Sequence, residues 1–144
     1  MTDKVFVDSN IWLYALTTPR DGEEMSKRNK AIESIRELVS KKTIVISIQV
    51  INEFHWNMLR KFKINDGSVI EVVKDNIESI AVIIEIGYSV YRKAFSVREK
   101  YSISFWDSLI VASALEYECE MLYTEDLQHG QIIEGSLTVC NPFL

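Results

Sequence analysis

Four acidic residues stand where a chain of alternating strands and helices would gather them. Asp8 directly follows an apolar run in Val7-Asp8-Ser9-Asn10. Glu53 lies in Asn52-Glu53-Phe54, in the first turns of a helix that follows a second apolar run. Asp107 sits in Ser104-Phe105-Trp106-Asp107-Ser108, and Asp126 in Tyr123-Thr124-Glu125-Asp126-Leu127. Carboxylates brought within about 4–6 Å of one another repel, raise each other's pKa and hold some of the set protonated. A divalent cation removes that conflict, and an all-oxygen donor set selects Mg²⁺ or Mn²⁺ over zinc. Such a cation neutralises charge on a phosphate and activates water, so the chemistry this set suits is phosphodiester hydrolysis.

Each acid also has an ordinary reading. Asp107 falls three residues after Ser104, the spacing of a capping box, with Asp where Glu or Gln is usual. Asp8 could cap the helix that follows it. Glu53 could face solvent, the common fate of a glutamate. Asp126 could be a turn residue ahead of Gly130. What separates the two readings is whether the fold brings the four together.

Short apolar runs at residues 4–7, 43–46, 80–83, 121–123 and 137–140 read as strands. The first three lack polar alternation, as expected of strands covered on both faces. Helical periodicity fills residues 24–40, 48–62, 67–79, 86–101 and 105–118, with Asp66 as the expected N-cap of the third. Alternation of this kind implies an α/β domain with a mainly parallel sheet, and right-handed crossovers put helices on both its faces. Ligands in such folds bind beyond the carboxyl ends of the strands. Asp8, Glu53 and Asp126 then share one edge. Asp107 joins them if its helix enters the fourth strand from that edge.

The 144 residues are 47% apolar and 26% charged, with five Gly and two Pro. This is the balance of a globular chain, without linker or repeat, and residues 1–144 are read as a single domain. The longest apolar runs, such as Ile80-Ala81-Val82-Ile83-Ile84, are too short to span a membrane. Met1-Thr2-Asp3-Lys4 leads straight into a strand, so no secretory signal is expected. Cys119 and Cys140 form neither a disulfide framework nor a zinc spacing, and they suit a cytoplasmic protein. Sixteen Lys and Arg against twenty-one Asp and Glu give a net charge of −5, which argues against nucleic-acid binding through bulk charge.

The pieces Val7-Asp8-Ser9-Asn10, Asn52-Glu53-Phe54, Trp106-Asp107-Ser108-Leu109-Ile110-Val111-Ala112-Ser113-Ala114 and Leu122-Tyr123-Thr124-Glu125-Asp126-Leu127 occur in an order and spacing that resembles the PIN domain. Within that superfamily the chain looks like the VapC-type ribonuclease toxins of prokaryotic toxin–antitoxin pairs, from its first strand to its last. The resemblance implies a PIN-like fold, a five-stranded, mainly parallel sheet in the order 3-2-1-4-5 flanked by helices. It makes Asp8, Glu53, Asp107 and Asp126 an acidic metal-site quartet. Asp8 and Asp107 would bind Mg²⁺ or Mn²⁺ directly, and Glu53 and Asp126 directly or through water. Asn10 and Thr124 match the polar positions that support the first and fourth acids, and Ser9 is a weaker match. Some relatives carry a further acid just after the fourth. Here Leu127, Gln128 and His129 follow, and Glu125 is the nearest substitute. The activity implied is metal-dependent endoribonuclease cleavage of RNA that leaves a 5′-phosphate and a 3′-hydroxyl. The partners implied are a cognate antitoxin, seated on an apolar groove near helices 24–40 and 48–62, and a second copy in a homodimer.

Two basic clusters could meet RNA: Arg60, Lys61 and Lys63, and Arg92, Lys93, Arg98 and Lys100. Both also read as solvated helix faces. His55 and Trp56 beside Glu53 could touch a base, with core packing the simpler fate for Trp56. Trp106 reads as a packing residue, and His129, which could serve as a proton donor or phosphate contact, reads more simply as a loop histidine with neither role. A haloacid-dehalogenase-like phosphomonoesterase would need a second Asp where Asn10 stands. A receiver domain would need an Asp after Ile83-Ile84-Glu85. A non-catalytic binding module would have no reason to keep four clustered carboxylates. Setting those four aside leaves seventeen acids against sixteen bases, so the acidity is largely that of the site.

Overall fold

Five of the six strands in the computed structural model, which describes residues 3–144, run parallel and bring their carboxyl ends to one edge. These are β1 (Lys4–Val7), β2 (Thr43–Ser47), β3 (Ala81–Ile84), β4 (Met121–Tyr123) and β6 (Leu137–Cys140). The sixth, β5 (Ile132–Ile133), pairs antiparallel with β6, and the sheet order is β3-β2-β1-β4-β6-β5. The five expected strands thus occur in the expected relative order. The added two-residue strand is too short to give a periodic signal. It folds back through Glu134 and Gly135, both in left-handed backbone conformation (φ 51° and 69°). Met1 and Thr2, the start of the segment read as lacking a secretory signal, lie outside the described residues.

Burial explains the strand chemistry. In the central strands Val5, Phe6, Val7, Ile44, Val45 and Ile46 are all buried, as both faces of the sheet are covered there. The third strand departs from that expectation, because it is an edge strand and Val82 is half exposed.

The flanking helices are α1 (Ser9–Leu16), α2 (Gly22–Lys41), α3 (Ile48–Arg60), α4 (Asp66–Val72), α5 (Tyr88–Tyr101) and α6 (Phe105–Glu116). A π-helical turn, Val73–Glu78, continues α4. Helix α1 was foreshadowed only by the capping alternative for Asp8, as its eight residues are almost wholly apolar and show little amphipathic period. Helix α2 is amphipathic, burying Ala31, Ile35 and Leu38. Its N-cap, Asp21, accepts a hydrogen bond from Glu24 N at 2.8 Å. The cap of α4 is Asn65, one residue before the expected Asp66. Its Oδ1 accepts from Ser68 N at 2.9 Å, while Asp66 is turned to His55 Nε2 at 2.7 Å.

Two elements matter most for the site. Helix α1 is pinned to β1 by Trp12, fully buried, whose Nε1 donates to the Val7 carbonyl at 3.2 Å. Helix α6 is buried continuously from Ser108 to Ala114. Its buried serines stay satisfied within the helix, Ser108 Oγ donating to the Phe105 carbonyl at 2.6 Å and Ser113 Oγ to the Leu109 carbonyl at 2.8 Å. Small side chains at Ala112, Ser113 and Ala114 let this helix lie close to its neighbours. Among the described residues, no helix is long and apolar enough to cross a membrane.

Candidate metal centre

The register of β1 against β4 sets Val7 beside Tyr123, so Asp8 and Thr124 leave the sheet side by side. Asp8 N donates to the Tyr123 carbonyl at 3.0 Å. Thr124 Oγ1 donates to Asp8 Oδ2 at 2.8 Å and accepts from Asp126 N at 3.1 Å, so one buried hydroxyl fixes both acids. Asp8 is also the N-cap of α1, its Oδ1 accepting from Ser9 N at 2.7 Å, with Ser9 Oγ at 3.5 Å. Asn10, in the first turn of α1, donates Nδ2 to Asp126 Oδ2 at 3.0 Å. Capping and clustering are thus compatible at Asp8.

Asp107 meets its ordinary reading with its backbone alone. Ser104 caps α6, and Asp107 N donates to Ser104 Oγ at 3.1 Å. The reciprocal bond of a capping box is not made, and among the described residues the Asp107 carboxylate accepts no hydrogen bond. Helix α6 presents its N-terminus at the carboxyl edge of the sheet. One carboxylate oxygen each from Asp8, Asp107 and Asp126 lies within 4.8 Å of the others.

Glu53 stands outside that trio but within its field. Its Oε1 accepts from Gln49 Nε2 at 3.2 Å, and the same amide donates to the Trp106 carbonyl at 3.3 Å, tying α3 to the start of α6. Burial pushes Glu53 above the usual carboxylate range, and repulsion from Asp107 and Asp126 adds to it. Asp126 is raised by burial and by repulsion from Asp107 and Glu125, against the Asn10 bond. Asp8 is pushed up to about 7. Burial dominates, the Thr124 and Ser9 bonds oppose it, and Glu53 and Asp126 repel.

A divalent cation fits this arrangement on chemical grounds. The donors are oxygens only, they lie close together, one carboxylate accepts no hydrogen bond among the described residues, and another is ionised only at the expense of desolvation.

The PIN domain family model matches residues 5–133. The chain belongs to the PIN domain family. Solved structures with this fold include VapC20 of Mycobacterium tuberculosis, a toxin that cleaves the sarcin–ricin loop. It is 14% identical, with 82% of this chain and 86% of that one covered and a TM-score of 0.61. A toxin–antitoxin complex from Klebsiella pneumoniae is 19% identical over 96% of this chain and 97% of that one, with a TM-score of 0.66. VapBC2 of Rickettsia felis, bound to a promoter DNA fragment, is 19% identical over 96% and 99%, again with a TM-score of 0.66. No curated protein matches the sequence.

On this PIN scaffold the other residues singled out from sequence fall into several places. Glu125 does not substitute for a further acid at the trio, since Lys27 holds it in an ion pair at 3.1 Å. Arg60, Lys61 and Lys63 are exposed at the end of α3, and none forms an ion pair among the described residues. Arg92, Lys93 and Arg98 are exposed on α5, whereas Lys100 reaches Glu134 at 3.4 Å, at the β5–β6 turn. His129 sits in the loop ahead of β5, where its Nδ1 accepts from Asn141 N at 3.0 Å. Trp56 is 59% exposed and Trp106 63% exposed, so neither packs in the core. The buried stripe of α3 runs through Val50, Phe54 and Met58, which turns Trp56 outward. Gln49 was missed, because a helical Gln reads as surface, yet it is buried and braces Glu53.

Asp8 gives the metal-free PIN domain a characteristic pH dependence. Unfolded, this carboxyl ionises near 3.8, whereas folded it keeps its proton to about 7. Between those values the folded state binds more protons, so stability falls as pH rises. Three pH units correspond to about 4 kcal/mol as an upper scale. Glu53 and Asp126 act with the same sign. Urea unfolding of metal-free protein will show a lower midpoint at pH 8 than at pH 5, and Asp8→Asn will remove most of the difference. A slope unchanged in Asp8→Asn contradicts the assignment.

Proposed function

We propose that this chain is a Mg²⁺- or Mn²⁺-dependent endoribonuclease and the toxin of a toxin–antitoxin pair. The observation that carries the reading is the convergence of Asp8, Asp107 and Asp126, from three separate elements, at one edge of a PIN fold. When bound, the cation supplies Lewis-acid charge for the phosphodiester and a lowered pKa for water. Asp8 and Asp107 would hold it directly, and Glu53 and Asp126 directly or through water. Thr124 orients Asp8 and Asp126 through one hydroxyl, Asn10 fixes Asp126, and the Ser9 backbone fixes Asp8. Glu53 has Oε1 engaged by Gln49, which leaves Oε2 to take a proton from the attacking water. Arg60, Lys61 and Lys63 meet the RNA backbone by local charge, which the near-neutral remainder of the chain permits.

A cytoplasmic location and an antitoxin partner follow from the same reading, as the solved complexes from Klebsiella and Rickettsia pair toxins with antitoxins. A homodimer would use the outer face of α5. There Tyr88, Tyr91 and Phe95 are 73%, 54% and 64% exposed, and the two tyrosines stack at 5.7 Å. Exposed aromatics on one helix face mark an interface rather than a solvated surface. Arg92 and Glu99 stand two turns apart on that face. An antiparallel twofold centred near Phe95 pairs each with the other's counterpart, as an isologous contact requires.

Mapping of 5′-phosphate ends across total RNA is the direct test. Wild-type protein with Mg²⁺ or Mn²⁺ will produce discrete new ends. Asp8→Asn and Asp107→Asn will abolish them with the fold retained, and Thr124→Val will lower the rate about 10–100-fold. Full activity in either Asn variant, or hydrolysis of phosphomonoesters without RNA cleavage, overturns the reading. For the dimer, light scattering will give twice the chain mass for wild type and the chain mass for Phe95→Glu. A monomeric wild type contradicts the α5 interface.

A further inference from the structure

Three buried oxygens beside the acidic trio have no hydrogen-bond partner in the protein. Among the described residues these atoms are Asn10 Oδ1, Ser47 Oγ and Gln49 Oε1, and the one other buried side-chain atom in that condition is Arg28 Nε, on α2. A buried polar atom left unpaired costs stability, so each one calls for a cause. Ser47 is fully buried and Gln49 is 8% exposed, so bulk solvent does not serve them.

Ser47 is the sharper case. It ends β2 and stands at the N-cap of α3, where a serine hydroxyl ordinarily accepts from a first-turn N–H, yet its side chain makes no capping bond. The pairing of Phe6 with Val45, carried two residues further, sets Ser47 beside Asp8, just as the pairing of Val7 with Tyr123 sets Thr124 beside Asp8. Side chains directly opposite on neighbouring strands share one face of the sheet. Thr124 uses that position to donate to Asp8 Oδ2 at 2.8 Å, whereas Ser47, on the other side of Asp8, bonds nothing in the protein. Gln49 has its amide orientation fixed, because both partners of Nε2 are acceptors: Glu53 Oε1 at 3.2 Å and the Trp106 carbonyl at 3.3 Å. Its unpaired Oε1 therefore lies at the seam between Glu53 and the first turn of α6, which carries Asp107.

An amide oxygen only accepts, and a hydroxyl can accept as well, so both atoms suit a small donor. Water is such a donor, and a buried water takes two to four polar partners. Mg²⁺ keeps several waters when carboxylates bind it. We propose that Ser47 Oγ and Gln49 Oε1 receive hydrogens of water kept by the cation, which makes both of them positioning residues of the metal centre. The inference rests on the cation reading above. It accounts for a serine that stands at a helix start and does not cap it, and for an amide that fixes Glu53 while its oxygen stays unused. Asn10 has the same form on the Asp126 side, with Nδ2 on Asp126 Oδ2 at 3.0 Å and Oδ1 unpaired.

Urea unfolding of metal-free protein and calorimetric titration with Mn²⁺, both on Ser47→Ala and Ser47→Cys, test it. Cys keeps the side chain's volume and is a weak acceptor, which separates the hydroxyl from the space it fills. Both variants will bind Mn²⁺ about tenfold more weakly than wild type. Neither will unfold at a lower urea concentration, because the hydroxyl has no partner in the fold to lose. Unchanged Mn²⁺ affinity in both variants, or a lowered midpoint in both, assigns the hydroxyl to the fold and overturns the proposal. Gln49→Met will weaken Mn²⁺ binding in a Glu53→Gln background as it does in wild type. An amide that acts only through Glu53 causes no further loss there, and that result overturns the assignment of Gln49. Binding lost in Asp107→Asn but equal in wild type and both Ser47 variants overturns the water-holding role alone. Binding indifferent to Asp107→Asn overturns the cation reading, and the role of Ser47 and Gln49 with it.

Discussion

A carboxylate taken out of water at the end of the central strand is the constraint on which the rest of this fold turns. Asp8 is buried where ionisation is unfavourable, and among the described residues it accepts two short hydrogen bonds, from Ser9 N and Thr124 Oγ1. Neither neutralises it, and Glu53 and Asp126 make its ionisation harder. A protein selected for stability alone would put an apolar residue or an amide there. Retaining an acid at this place makes sense when a cation completes it.

The surrounding elements read as consequences of that choice. Central β1 has neighbours on both sides, and its pairing with β4 sets Thr124 beside Asp8 within hydrogen-bond reach. Trp12 locks α1 onto the Val7 carbonyl, which holds the Asp8 cap and keeps Asn10 against Asp126. The small, self-satisfied residues of α6 let a buried helix bring Asp107 to the same edge. Gln49 fastens the beginning of α3 to the beginning of α6, so Glu53 and Asp107 keep a fixed relation. Four side chains from distant parts of the chain are thereby held by backbone register and a few buried hydrogen bonds.

Much of this was legible in the residues. Strand-final acids announce themselves, because an apolar run that stops at Asp in an α/β alternation places that Asp at the carboxyl edge. Asp8 follows that rule, Asp126 follows β4 at one remove, after Thr124 and Glu125, and Asp107 follows from a helix whose Ala and Ser content suits deep burial. The rest had physical reasons to stay hidden. Glu53 lies on a helix, where one residue's rotation decides between joining the trio and flanking it. Trp56 and Trp106 face outward, although tryptophan usually packs, because the buried stripe of α3 and the capped first turn of α6 fix the opposite face. The strand β5 has two residues and α1 has no polar face, so neither leaves a period to read. Trp12 braces through one hydrogen bond and Gln49 through two, and only three-dimensional placement reveals them.

The central claim is that Asp8, Asp107 and Asp126 form one cation site. Calorimetric titration of metal-free protein with Mn²⁺, on wild type and on Asp107→Asn, tests it most directly. The variant leaves the backbone cap of α6 intact and removes one carboxylate that has no hydrogen-bond partner among the described residues, so it should fold normally. Saturable Mn²⁺ binding in wild type that is lost in Asp107→Asn is the result predicted. No binding to wild type, or equal binding to both proteins, would contradict the account.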